Sequence, residues 1–197
     1  MAEVVVHEAA FWASGEPGRP LPEAISPEIA FGGRSNVGKS SLVSALAQRH
    51  KLVRISRTPG RTRAVIVFQL RTTEGDVAFA DLPGYGWASV HLEARLAWGP
   101  LVEGYLTGRS AVRGLVSLVD LRRGWEPDDT QLLEFADAHR IPVLVVATKS
   151  DKLPKSKRKP ALVQIVKSSG RKAVAVSAET GEGLTDVWRW IVGRSAR

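Results

Sequence analysis

The sequence predicts an α/β fold: a mostly parallel six-stranded sheet with one antiparallel edge strand and helices on both faces. Three observations carry this expectation. Short apolar runs alternate with helical patterns along the chain, as in a sheet covered on both sides. One run passes into a glycine-rich loop and then a helix, the order in which such sheets hold phosphate groups. Polar motifs then follow four of the apolar runs, at the strand ends where a doubly wound sheet binds its ligand.

The glycine loop comes first. Gly33-Arg34-Ser35-Asn36-Val37-Gly38-Lys39-Ser40 fits G-x-x-x-x-G-K-[ST]. Ile29, Ala30 and Phe31 read as a buried strand before it, and Ser41–Ala47 as an amphipathic helix after it. Gly33 and Gly38 let the backbone curl so that successive N–H groups point at one anion. The helix N-terminus adds partial positive charge, Lys39 can reach the β- and γ-phosphates, and the Ser40 hydroxyl can ligate Mg²⁺. A chance glycine turn with an exposed lysine would lack these flanks.

The remaining elements follow in order. Residues 1–26 carry Gly15, Pro17, Gly18, Pro20 and Pro22, so a mostly extended or irregular N-terminal extension is expected, with Val4–Val6 docking as an edge strand at most. Val53–Arg63 has Pro59-Gly60 at its centre and reads as a loop. Val65–Leu70 and Val77–Ala80 read as strands joined through Glu74-Gly75-Asp76, hence an antiparallel pair. A helix is expected around His91–Leu106, a strand at Val116–Asp120, a helix at Asp129–His139 and a strand at Val143–Ala147. A basic helix over Pro160–Ser168 leads to the strand Ala173–Val176. In the last segment Leu184, Val187, Trp188 and Ile191 fall at helical spacing. The resulting domain spans 27–193, with a short tail at 194–197.

Composition removes several chemistries. There is no cysteine, so thiolate catalysis, disulfides and cysteine-based metal sites are excluded. The four histidines form no spaced cluster. No apolar run approaches a membrane span, and Val4-Val5-Val6 is too short for a signal-peptide core, so a cytoplasmic protein without a membrane partner is expected. The net charge of +8 favours a polyanionic partner.

The strand-end motifs supply the chemistry. Asp81-Leu82-Pro83-Gly84 follows an apolar strand, as an aspartate that orients Mg²⁺ through a water should, and the Gly84 N–H can contact a γ-phosphate. Thr148-Lys149-Ser150-Asp151 is a T-K-x-D element. A carboxylate at Asp151 can accept from guanine N1–H and the exocyclic amine, an arrangement adenine lacks; the alternative is an ordinary helix cap. After Val176 at the end of the last strand, Ser177 and Ala178 offer small side chains and a backbone N–H for the guanine oxygen.

This ordered set resembles the EngB (YihA/YsxC) family of bacterial ribosome-biogenesis GTPases, within the TrmE-Era-EngA-EngB-Septin-like class. The resemblance rests on Pro27–Phe31 with Gly33–Ser41, Thr58-Pro59-Gly60-Arg61-Thr62, Asp81–Gly86, Asp120-Leu121-Arg122 and Thr148–Asp151. It implies a Ras-like G domain of the P-loop NTPase class that hydrolyses GTP to GDP. By the resemblance, Thr62 joins Ser40 on Mg²⁺, and Lys39, Thr62 and Gly84 serve catalysis. The residues alone leave Thr58 as a rival. Gly60, Arg61, Thr62, Arg63 and Ala64 would lie along the nucleotide in this reading, with Arg34, Ser35, Asn36 and Val37 of the glycine loop. The family usually has Ala at Ser150 and Gln or Lys at Arg63, and often differs over Ser177-Ala178-Glu179. The resemblance further implies a monomeric assembly factor of the large ribosomal subunit, needed for normal division and septation.

Two features bear on partner and rate. From Lys152 to Lys172 stand eight basic residues and no acid: Lys152, Lys155, Lys157, Arg158, Lys159, Lys167, Arg171 and Lys172. They suit a phosphate backbone, which by the resemblance is ribosomal RNA with no DNA expected, against the plainer reading of a solvated helix face. After Gly84 stands Tyr85, where many GTPases have a water-orienting Gln, so slow intrinsic turnover is expected. Several GTPases with the resembling G-x-x-N-x-G-K-S loop use this Asn to coordinate K⁺; Asn36 could instead bond within the loop. Competing functions are another ribosome- or tRNA-linked GTPase, a P-loop nucleotide kinase, or an RNA-binding protein without turnover. Intact Lys39, Ser40, Asp81 and Asp151 count against the last of these.

Overall fold

The computed structural model describes residues 3–16, 18–49, 52, 64–84 and 92–195, and of 92–98 the backbone alone. Seven strands form one sheet in the order β1-β3-β4-β2-β5-β6-β7. In chain order these are β1 (Val6–Gly15), β2 (Glu28–Gly33), α1 (Lys39–Leu46), β3 (Val65–Thr72), β4 (Gly75–Asp81), α2 (Leu92–Gly108) and β5 (Val112–Asp120). Then follow α3 (Pro127–Ala138), β6 (Val143–Thr148), a 3₁₀ turn (Ser150–Lys152), α4 (Lys155–Ser169), β7 (Ala173–Ala175) and α5 (Leu184–Ser195). From β4 to β7 all neighbours are parallel, and β3 runs against both β4 and β1.

The strand pattern explains the burial. β2 is buried at all six positions, because helices cover both faces of the sheet centre. On one face Phe31, Phe79, Leu42, Leu46, Val187 and Ile191 join α1 and α5 to the sheet. On the other, Ala30, Val67, Val102, Leu106, Leu132 and Ala136 join α2 and α3, and Ile165 of α4 packs on Val119, Val145 and Ala147. Trp188 sits in the first core with its ring 5.4 Å from Phe79, as its place on the apolar stripe predicts. Trp190, off that stripe, is packed too: a Cβ at Gly114 would fall 2.6 Å from its ring.

Two expectations change. The N-terminal extension holds a longer strand than Val4–Val6: β1 pairs with β3 from Val6↔Thr72 to Gly15↔Val65 and makes a seventh strand. The antiparallel strand β3 is therefore covered rather than at the edge. Bulges between Val6 and Glu8 and between Phe11 and Ala13 break the alternation of β1, which hid the strand from a period-2 reading. The basic helix begins at Lys155, not Pro160. Pro160 is its sixth residue, and on an exposed turn the one lost backbone bond is tolerated.

The extension is also tied to the domain at its two ends. The Gln48 amide, just after α1, accepts from Val6 N at 3.0 Å and donates to Val4 O at 2.9 Å, as a neighbouring strand would. At the far end of the sheet Glu28 is fully buried, and Arg109 grips it bidentately at 2.6 and 2.8 Å. Tyr105 donates to the same carboxylate at 2.7 Å, Arg109 donates to Pro22 O, and its guanidinium lies over the Trp12 ring. Burial first, and then the Glu28 charge, holds the Tyr105 hydroxyl well above its usual pKa.

Candidate nucleotide-binding site

The glycine loop is shaped by where its carbonyls go. Val37 N–H closes a turn on Arg34 O at 3.2 Å, and Leu42 N–H takes Gly38 O at 2.9 Å. From the end of β6, Thr148 Oγ1 donates to Val37 O and Lys149 Nζ to Asn36 O, each at 2.5 Å. None of these bonds uses the N–H groups of Ser35, Asn36, Gly38 or Lys39, which are the groups an anion would need. Asn36 and Gly38 reach this curl with φ of 61° and 107°. Asn tolerates the left-handed region and glycine has no Cβ to oppose it.

The D-x-x-G segment closes on the loop from β4. Lys39 Nζ and Asp81 Oδ1 lie 3.0 Å apart, both side chains buried. Gly84 lies against Ser35, and a Cβ there would fall 2.7 Å from Ser35 Oγ and 3.2 Å from Ser35 N. A side chain at this position would crowd Ser35. Leu82 and Pro83 are buried behind it. Ser40 Oγ and the Asp81 carboxylate are hard oxygen donors of the kind Mg²⁺ selects, so this corner of the site fits that ion.

The T-K-x-D and Ser177 loops extend from the ends of β6 and β7. Ser150 N–H donates to Val176 O and Val176 N–H to Ala147 O, joining the two loops. Ser177 Oγ donates to Asp151 Oδ1 at 2.8 Å and accepts from Glu179 N and Thr180 N. That hydrogen bond, more than the neighbouring Lys152, keeps the Asp151 carboxyl below its usual pKa. Asp151 is therefore an ionised acceptor held in a fixed direction, with Ala178 beside it in the loop.

A family model described as "50S ribosome-binding GTPase" matches residues 28–149. The chain is 38% identical to the probable GTP-binding protein EngB of Trichlorobacter lovleyi, covering 94% of each. It is 40% identical to the protein of the same name from Lactiplantibacillus plantarum, over 94% of this chain and 95% of that one. The chain belongs to the EngB family of GTP-binding proteins. A crystal structure of a probable EngB covers 86% of this chain and 98% of its own, with a TM-score of 0.69 at 22% identity. Era in complex with MgGDPNP and nucleotides 1506–1542 of 16S ribosomal RNA gives 0.68 at 24% identity, over 86% of this chain and 56% of that one. These two show a shared fold. As an EngB-family member the chain is a GTPase.

Within this EngB-family site, Asp120, Arg122, Glu182 and Arg158 make contacts that sequence reasoning missed. Asp120, at the end of β5, accepts from Lys149 at 3.0 Å and from Arg122 at 2.7 and 2.9 Å. Burial works to raise its pKa, but the bonds from Arg122 and Lys149 win and hold it well below the carboxylate range. Lys149 thus bridges Asp120 to the glycine loop. Glu182 accepts from Ser150 Oγ and from Arg158, each at 2.9 Å, so Arg158 of the basic helix braces the T-K-x-D loop. A charged residue between Gly181 and Gly183, just past the Ser177 loop, was the available signal. The Arg34 side chain turns away from the loop interior towards α3. Gly60, Arg61, Thr62 and Arg63 lie outside the described residues, as do Thr58, Tyr85, Gly86 and Trp87, while Ala64 is buried at the start of β3. Among the described residues no cluster of His, Asp and Glu could hold a metal by itself, and no helix is long and apolar enough to cross a membrane.

Proposed function

We propose that this protein is a GTP-driven switch in assembly of the large ribosomal subunit, working in the cytoplasm as a monomer and needed for normal division and septation. The observation that carries the proposal is the charge left exposed on and beside α4. Of the eight basic residues from Lys152 to Lys172, Lys152 pairs with Asp151, Arg158 with Glu182 and Arg171 with Asp137. Lys155, Lys157, Lys159, Lys167 and Lys172 are exposed and have no carboxylate partner among the described residues. Such a patch neutralises phosphates along an RNA backbone. The description of the matching family model, "50S ribosome-binding GTPase", supports the large subunit as the partner.

In this reading Asp151 and Ser177 select guanine, and the loop Arg34–Gly38 with Lys39 holds the phosphates. Ser40 and Thr62 would hold Mg²⁺, with Asp81 behind a water. When bound, the ion neutralises charge on the β- and γ-oxygens. Gly84 offers its N–H to the γ-phosphate. The test follows the charges. Exchanging Lys155, Lys157 and Lys159 for Gln should leave GTP affinity unchanged and flatten the salt dependence of 50S binding by about three in log–log slope. Arg158 stays, because it holds Glu182. Sedimentation across a salt titration gives the slope, and equal slopes for variant and parent would remove the RNA reading.

The rate of hydrolysis has its own expected signature. With Tyr85 where a Gln would orient the water, charge developing between the β- and γ-phosphates needs another stabiliser. Asn36 is exposed, and its side chain makes no hydrogen bond among the described residues. A K⁺ ion held there would supply that charge. Potassium should accelerate phosphate release over sodium at equal ionic strength, and Asn36→Gly should abolish the difference while GTP still binds. Glycine is the informative variant because φ is 61° at this position. Equal rates in both salts, alone and with 50S subunits, would leave the activating group to the partner.

A further inference from the structure

We propose that Arg34 is a positioning residue of the phosphate cradle, acting through an ion-paired seat on the N-terminus of α3. Arg34 is the first residue past Gly33 and its carbonyl closes the turn with Val37. Its side chain is only 7% exposed. The guanidinium pairs with Glu126 through Nη1, lies 3.5 Å from Asp129 Oδ1 through Nε, and reaches Gly124 O through Nη2. Asp129 is fully buried, and its other oxygen accepts from Glu126 N at 3.0 Å.

This arrangement has two consequences. Two carboxylates neutralise the guanidinium, so Arg34 adds no net charge for the phosphates. It fixes one end of the turn instead. The other side of the loop is held from β6 by Thr148 and Lys149, and the turn is thus gripped between two elements. A loop whose N–H groups must converge on an anion loses affinity when one anchor is released, because binding must then order it. A planar fork meeting two carboxylates and a carbonyl is work for arginine; a lysine ammonium offers one point of charge.

The inference rests on the reading of Gly33–Ser40 as the phosphate cradle, and the experiment separates the two. GDP and GMP affinities are measured by displacement of a fluorescent guanine nucleotide from wild type, Arg34→Gln, Arg34→Lys and Glu126→Gln. Wild type should prefer GDP strongly; equal affinity for GDP and GMP would sink the cradle itself. With that preference established, Arg34→Gln should lower GDP affinity about tenfold with GMP affinity changed less than about threefold. Arg34→Lys should recover part of the loss. Glu126→Gln removes only the partly exposed partner and keeps the test open where Arg34→Gln fails to fold; its GDP-to-GMP ratio should fall about threefold. A merely structural role would weaken both nucleotides by the same factor. That result, or unchanged affinities, would overturn the proposal.

Discussion

Asp151→Asn is expected to lower GTP affinity by about two orders of magnitude, because two charge-assisted hydrogen bonds to the base lose their acceptor. The amide that replaces the carboxylate can donate as well as accept. Xanthosine triphosphate carries an oxygen at C2 where guanine has its amine, so the variant should prefer that nucleotide. The effect should be sharp because Asp151 does not swing freely: Ser177 Oγ holds Oδ1 at 2.8 Å, and Ser177 is itself fixed by the N–H groups it accepts from. Ser177 also donates to the carboxylate, and an Asn oxygen can take the same bond, so the loop should keep its shape. Calorimetry with both triphosphates decides it. An unchanged preference for GTP would take Asp151 out of base recognition.

Arg109→Leu is expected to cost about 3–5 kcal/mol of folding stability. That is a large share of the roughly 5–15 kcal/mol a domain has in total. Glu28 has no exposed surface, and Arg109 supplies the only positive charge that meets it among the described residues. Removing the guanidinium leaves a buried carboxylate with the Tyr105 hydroxyl alone. Glu28→Gln in the same chain should recover part of the loss by removing the stranded charge. Urea midpoints of the single and double variants measure this, and a loss below about 1 kcal/mol for Arg109→Leu would show that water reaches the site. GDP affinity should not change. Glu28 and the glycine loop stand at opposite ends of the six-residue β2, about 17 Å apart.

Much of this was legible in the sequence, for a physical reason. The glycine loop, D-x-x-G, T-K-x-D and the serine loop are local patterns, because each needs particular backbone freedom or a particular side chain at a strand end. The buried strands β2, β5 and β6 were equally plain as apolar runs. What stayed hidden depends on pairs far apart in the chain. Nothing near Glu28 announces Arg109, and nothing near Arg34 announces Asp129. Its place in the glycine loop set Arg34 along the nucleotide by resemblance, and nothing local foretold that its side chain would pair on α3. β1 was lost to its two bulges, and the start of α4 to the usual reading of proline as a helix breaker.

The first strand has a further consequence, for the order in which the molecule is made. Val6 pairs with Thr72, and the amide that steadies Val4 and Val6 belongs to Gln48. At about 5–20 residues per second, the ribosome delivers β3 roughly 3–13 s after β1. Through that interval the ten-residue segment has no strand to join, however early it emerges. Its two bulges and its Glu8 are then useful in a different way, since they make it a poor template for pairing with another nascent chain. Among the described strands β1 leaves the ribosome before β3 and waits for it before it can join the sheet.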